Sequence, residues 1–428
     1  NLIERCGPRL NGSGQHQAML ELRTERHNIA AAWDWCASAD RWDDIGVMLE
    51  PLRTSMVKSG QIAEAELLFT RALGQCRTTS AAPSLMHGRL AEAASWISLL
   101  SGRVRAASTM LDEADKAVAQ AASEQAKAGP GGTGNAHAVG IAKANVLRTR
   151  GVLTLGKGEI DQALACFTEA LEALPAPEVE PHLFAKLNED LGHCHEARGE
   201  DKLAERCFRE TLDRGRELDD PHMVARSYLT LAKAELNSDP KMALVLLEEG
   251  EVIARASELD QLLSYFPGDR ARAYLKLGDA ASASVAFDEG IKVVEKVGHL
   301  VTLAGNTIGR GECARRLGDF DAARHDIRSG VRLCVETNCW PYLLWAAVAA
   351  CGLWFDTNQA ADSAGNAGSL PLQLLELVAQ HQAAEIMVGQ QARSLLAERT
   401  EMSDPVDVSF DSSRLDVVAE RVLALLSS

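Results

Sequence analysis

Aromatic residues make up only 5% of this 428-residue chain, and proline occurs 13 times. Few large rings and few β-branched runs beside abundant alanine, leucine, glutamate and arginine favour helix over sheet. No apolar run approaches the length of a bilayer span, and no signal-peptide pattern opens the chain, so a membrane partner is not expected. The ten cysteines (Cys6, Cys36, Cys76, Cys166, Cys194, Cys207, Cys313, Cys334, Cys339 and Cys351) include no Cys-x-x-Cys pair. Most fall in helical apolar patterns, where a thiol acts as a small hydrophobe, and a reducing cytoplasm fits. Positive charge is also short: 44 Lys and Arg against 60 Asp and Glu give −16, which argues against nucleic acid as a direct partner. No Gly-x-x-x-x-Gly-Lys-Ser/Thr occurs, which excludes ATP hydrolysis by that route within this segment. Local spacing assembles no Ser/His/Asp or Cys/His constellation, so the chain reads as non-enzymatic, with no cofactor and no metal expected.

What is present is repetition. Six glycine–alanine pairs five residues apart also match in the residues around them: Gly60/Ala65, Gly102/Ala107, Gly158/Ala163, Gly199/Ala204, Gly278/Ala283 and Gly318/Ala323. Nine residues after each glycine stands a bulky apolar residue (Phe69, Leu111, Phe167, Phe208, Phe287, Ile327), and three further on a small one. Such self-similarity marks a helix–turn–helix unit stacked many times, a form that grows without needing one large core. In the clearest unit, Ala144 to Pro175, Gly158 supplies a left-handed helix cap. Gly151 and Ala163 lie where paired helices come closest, Phe167 fills the space between them, and Pro175 stops the second helix. A degenerate unit keeps Ala232, Ala243 and Leu247, with Asp239-Pro240 in place of the glycine turn.

The small residues Gly151, Ala163 and Ala170 with Pro175 match the pattern of the tetratricopeptide repeat, which this chain resembles. The resemblance implies an all-α, right-handed superhelical solenoid of helical hairpins. Successive turn glycines lie about 40 residues apart rather than 34, which predicts longer helices. Capping helices are expected over 1–57, first repeats over 58–122, a flexible Gly-rich insertion over 123–140, repeats over 141–336, and capping helices with a loop at 356–369 over 337–428. The run Gly129-Pro130-Gly131-Gly132-Thr133-Gly134 lacks the lysine a phosphate loop needs and reads as a connector.

Leu20 to Ala37 reads as one amphipathic helix carrying Glu25, Asn28, Ile29, Ala31, Ala32 and Trp35. This stretch ahead of long repeats resembles the entry to the helical-repeat sensor of STAND-type signalling ATPases, including bacterial transcriptional activators. Leu372–Leu377, His381, Ala384–Glu398 and Ser412–Leu426 resemble the closing helices of those sensors. The resemblance implies a sensing arm cut from a larger parent, consistent with a start at Asn1. It also implies two kinds of partner: the ATPase module of the same parent chain, and a protein, a peptide or a small-molecule inducer. A stand-alone scaffold gripping a peptide tail and a peptide-pheromone receptor are the alternatives.

In tetratricopeptide arrays the first helix of each pair lines the concave groove. Carried onto this chain, that register selects Asn145, Arg148, Lys186, Glu189, His193, Arg226, Lys233, Arg272, Glu312 and Arg315 as ligand- or partner-binding residues. Their basic share suits an acidic peptide, a carboxylate or a phosphorylated ligand; the plainer alternative is a set of solvated faces. His193-Cys194-His195 reads as a surface histidine beside a buried cysteine rather than a metal cluster, since helix neighbours diverge by about 100°. The tryptophans gather at the two ends, where they seal terminal helices or anchor a ligand, Trp340 and Trp345 being best suited to line a pocket.

Overall fold

The structure, a computed structural model, describes residues 2–79, 83–128, 133–297, 299–337, 339–358, 370–381, 386–399 and 413–427. The described residues form helices and turns only. Near the start come α1 (Leu2–Cys6), a 3-10 turn (Gly7–Asn11), α2 (Gln15–Thr24) and α3 (Arg26–Ser38). The hairpins begin with α4 (Trp42–Lys58) and α5 (Ile62–Thr78), then α6 (Ser84–Leu100) and α7 (Val104–Ala128). Next are α8 (Thr133–Gly156) with α9 (Ile160–Ala173), and α10 (Pro181–Ala197) with α11 (Asp201–Glu217). They are followed by α12 (Pro221–Glu235), α13 (Pro240–Ala256), α14 (Asp260–Leu263), α15 (Phe266–Lys276) and α16 (Ala280–Val297). The last are α17 (Leu300–Arg316), α18 (Phe320–Thr337), α19 (Trp340–Thr357), α20 (Leu370–Gln380), α21 (Ile386–Arg399) and α22 (Leu415–Leu425). Two compact units result: unit 1 comprises Asn1–Leu231 with Val252–Gln261, and unit 2 comprises Ala232–Glu251 with Leu262–Ser428.

All six turn glycines sit at positive φ, between 72° and 84°. A side chain there would be strained, which is why glycine marks each turn. Hairpin packing follows from the same pattern. An added Cβ on Gly151 would stand 2.4 Å from Phe167 Cε1, and one on Gly192 would stand 2.4 Å from Phe208 Cε1. The glycines are the sockets into which the buried phenylalanines of the second helices fit. Each such ring contributes about 1.5–3 kcal/mol by leaving water. At the degenerate unit Asp239 takes over, its Oδ1 accepting the N–H groups of Lys241 and Met242 at 3.1 Å. The long period is explained by helix length, since α10 and α11 each run for 17 residues.

Two expectations are corrected. The helix anticipated over Leu20–Ala37 is broken at Glu25 (φ −96°, ψ 10°), whose carboxylate accepts from Asn28 Nδ2 at 2.6 Å. The insertion expected over 123–140 is helical on both sides, α7 reaching Ala128 and α8 starting at Thr133. Its alanine-rich flanks propagate helix better than composition around the glycines suggested. Residues 129–132, the loop residues 359–369 and the positions Ala384 and Ser412 lie outside the described residues.

One core in unit 1 joins the capping helices to the first hairpins through Trp33, Phe69, Leu73 and Leu90. A second, around Phe167 and Leu187, continues it. In unit 2 a core runs from Ala271 through Phe287, Ile308 and α19 to Val422 on α22. No helix among the described residues is long and apolar enough to cross a membrane.

Candidate functional site

The residues chosen from the repeat register fall into two groups, one in each unit. Unit 1 holds Asn145, Arg148, Lys186, Glu189, His193 and Arg226; unit 2 holds Lys233, Arg272, Glu312 and Arg315.

In unit 1, Arg148 on α8 donates from Nε to Asp190 Oδ2 at 2.6 Å and lies 4.8 Å above the Trp96 ring. Arg226 on α12 is ion-paired with buried Glu189, which also accepts from Thr230 Oγ1 at 3.3 Å. Arg53 on α4 donates to Glu92 (2.8 Å) and Glu50 (2.7 Å), and Glu92 takes a further bond from Thr149 at 2.7 Å. These pairs join residues 42, 37 and 39 apart, one repeat each. The repeat therefore matches cation to carboxylate between successive inner helices. Lys186 on α10 is the exception: among the described residues its ammonium has no hydrogen bond or ion pair. Burial, then Arg148, Arg53, Lys58 and Arg226, push its pKa down to about 7. His222, at the start of α12, is held neutral, its pKa lowered to about 3 by burial first and Lys58 next.

A clasp adjoins this cluster. Lys58 Nζ donates to Leu10 O (2.9 Å), Asn11 Oδ1 (3.1 Å) and Gln15 Oε1 (3.3 Å). His182 Nε2 donates to Asn11 O at 3.1 Å, and His16 Nε2 lies 3.0 Å from Glu258 Oε2. Beside it is a cavity of about 500 Å³ bordered by Gln15, His16, Arg216, Asp219 and Glu258. None of the residues chosen from the register lines it.

Asn145 bonds its own helix at Ile141 O (3.2 Å). His193 and His195 turn to different carboxylates, Glu196 at 3.3 Å and Glu200 at 2.6 Å, while Cys194 is buried between them in sequence.

In unit 2 the chosen cations meet carboxylates or rings. Lys233 lies 3.6 Å from Asp269, and this carboxylate raises the lysine's pKa. Arg272 sits 5.4 Å above Trp345. Glu312 is buried and accepts from both Arg315 (2.8 Å) and Arg316 (2.7 Å), and Arg315 reaches Asp356 at 2.5 Å. Trp345 is part of the core, and Trp340 stacks on His381 with centroids 4.7 Å apart.

Sequence reasoning missed Arg53, Lys58, His182, His222, Glu92 and Trp96. A signal existed for two of them. Lys186, Glu189 and His193 stand 13, 10 and 6 residues before Gly199, and the same count from Gly102 gives Arg89, Glu92 and Trp96. Lys58 and the clasp follow no repeat and had no such signal.

No protein-family model matches the sequence, and no curated protein does. Among solved structures the chain is similar to a Rap protein in complex with competence and sporulation factor. The two share 13% identity over 84% of this chain and 100% of that one, with a TM-score of 0.55. It is similar also to the apo form of the quorum sensor NprR from B. thuringiensis, at 12% identity over 89% of this chain and 99% of that one, TM-score 0.55. The chain is an all-α solenoid of tetratricopeptide-like hairpins. A STAND protein with a tetratricopeptide-repeat sensor from Pyrococcus horikoshii also matches, at 12% identity over 78% of this chain and 53% of that one, TM-score 0.44.

Proposed function

We infer that this solenoid is a non-enzymatic sensor and interaction domain whose inner face in unit 1 reads a protein, peptide or small-molecule inducer. The observation that carries the reading is the cluster around Lys186. Four inner helices bring cations together, and one of these cations is left without an ion-pair partner among the described residues. Proteins that share the fold support it, since one was solved with competence and sporulation factor bound and another is a quorum sensor. The Glu25-to-Trp35 stretch supports a parent of the STAND type, with transcription as its output and the cytoplasm as its place. In that parent the arm holds the ATPase inactive. Ligand favours one arrangement of the hairpins over another, and that difference in affinity is what can shift the parent's equilibrium.

Two experiments test this. A phosphate loop encoded upstream of Asn1 supports the STAND parent; a short helix-turn-helix there supports the second reading, a peptide-pheromone receptor, which the likeness to NprR favours. In the parent chain, the double reversal Arg148→Glu with Lys186→Glu is expected to abolish the response to inducer. An unchanged response in a folded double variant removes the inner face of unit 1 from the mechanism.

A further inference from the structure

The cations on the inner face of unit 1 differ in what they hold. Arg53, Arg148 and Arg226 hold carboxylates, and Lys58 holds three neutral oxygens of the clasp. Lys186 holds none among the described residues, although Glu189 and Asp190 follow it by one turn of the same helix. Arg226 on α12 and Arg148 on α8, two helices away on either side, have taken both of those carboxylates. The lysine is half-buried, so water hydrates its ammonium incompletely, and Glu180, a carboxylate whose field it shares, stands beyond ion-pair distance. The His222 ring, whose protonation Lys58 and Lys186 both oppose, is likewise without a hydrogen-bond partner among the described residues.

We propose that Lys186 anchors an oxyanion, a carboxylate or a phosphate carried by the ligand, on the inner face of unit 1. Such a group would accept the N–H bonds the ammonium now lacks and would lie in the field of Arg148 and Arg226. Charge-assisted bonds of this kind are about twice as strong as neutral ones. Burial and like charge disfavour the protonated lysine, so an arriving anion gains from restoring its charge as well as from the bonds it accepts. The biological role assigned to the site rests on the sensor reading above; the site itself is tested separately.

The test is calorimetric titration of the 428-residue chain at pH 6.5 with inorganic phosphate and, separately, with succinate. One saturable site for either anion is expected. Phosphate alone assigns a phosphorylated ligand, and succinate alone a carboxylate ligand. Lys186→Met should weaken binding at least about tenfold, the loss of one charge-assisted contact. Lys186→Gln serves as a second variant, and circular dichroism checks that both fold. Lys143→Met, which removes a lysine paired with Glu169 at 2.8 Å, should leave binding unchanged. No saturable heat with either anion, or equal affinity in the folded Lys186 variants, overturns the proposal. Anion binding through Lys186 in a chain whose parent still responds after the double reversal would instead sink the sensor reading and leave the anion site standing.

Discussion

In unit 2 the charges of the first helices are paired with carboxylates. Glu312, with 2% of its side chain exposed, serves Arg315 and Arg316, and Arg310 is shared between Asp288 and Asp326. In unit 1 the same hairpin pattern leaves Lys186 unmatched beside His222, within a ring of arginines that are themselves paired. Glu312, Arg315 and Arg316 lie on α17, a first helix of its hairpin as α10 is, whereas Arg310 reaches across to the second helices α16 and α18. The difference teaches that inner-face charge in this repeat has two uses: bridging one hairpin to the next, and presenting a charge that no neighbour satisfies.

The contrast can be broken by substitution, starting with the largest effect. Glu312→Gln removes the carboxylate shared by Arg315 and Arg316, leaving them only Asp356 and the Leu275 carbonyl, and about 3 kcal/mol of stability should be lost in chemical denaturation followed by tryptophan fluorescence. Glu189→Gln in unit 1, whose partner Arg226 is 39% exposed, should cost less than half as much, about 1 kcal/mol. Equal losses would mean that the two faces are bonded alike. Packing gives a comparison in which the units should agree. An added Cβ on Gly309 would meet Phe287 Cζ at 2.2 Å, much as one on Gly192 meets Phe208. Gly309→Ala and Gly192→Ala should each cost about 1–3 kcal/mol by overpacking, read from urea midpoints.

Acid provides the next test. His222 titrates near 3 when folded but near the ordinary 6.5 when unfolded, so the unfolded chain binds more protons as pH falls below about 6.5. Stability contributed by its neutral form is therefore complete above that pH and is lost on acidification. Up to about 2 kcal/mol should go between pH 6.5 and 5, and His222→Gln should flatten the profile measured by thermal melts. His182, also lowered by burial, acts in the same direction. Lys186→Met should do the opposite of most core changes and stabilise the chain by about 1 kcal/mol at pH 7, because it removes an unmatched cation. His16→Ala, at a surface pair, should cost less than about 1 kcal/mol.

Fold and site were legible to different depths. The six glycines announced their positive φ because only glycine adopts it without strain, and Gly151 and Phe167 announced their contact through spacing alone. Asp40, Asp219 and Glu258 also adopt positive φ, at 50° to 54°; aspartate tolerates that conformation better than most residues, but Glu258 carried no such signal. For the site, the register selected Arg148, Lys186, Glu189 and Arg226, which the structure places in one unit and, for Arg226 and Glu189, in one ion pair. It could not show which cations were neutralised, because that depends on a carboxylate about 40 residues away meeting the right helix face. Arg148 with Asp190, read as one basic residue in the sequence, is a neutral pair in the fold.

The clasp changes how unit 1 should come apart. An open stack of repeats frays from its ends, each hairpin leaving with only its neighbour's contacts to lose. Here Asn11 is bonded to His182, 171 residues away, and His16 reaches Glu258. The capping segment, bonded to Lys58 at the end of α4, cannot leave without also giving up its contacts with α10 and Glu258. Hydrogen exchange should then report one shared opening energy across α4 to α12 in place of a gradient that declines toward the first helix.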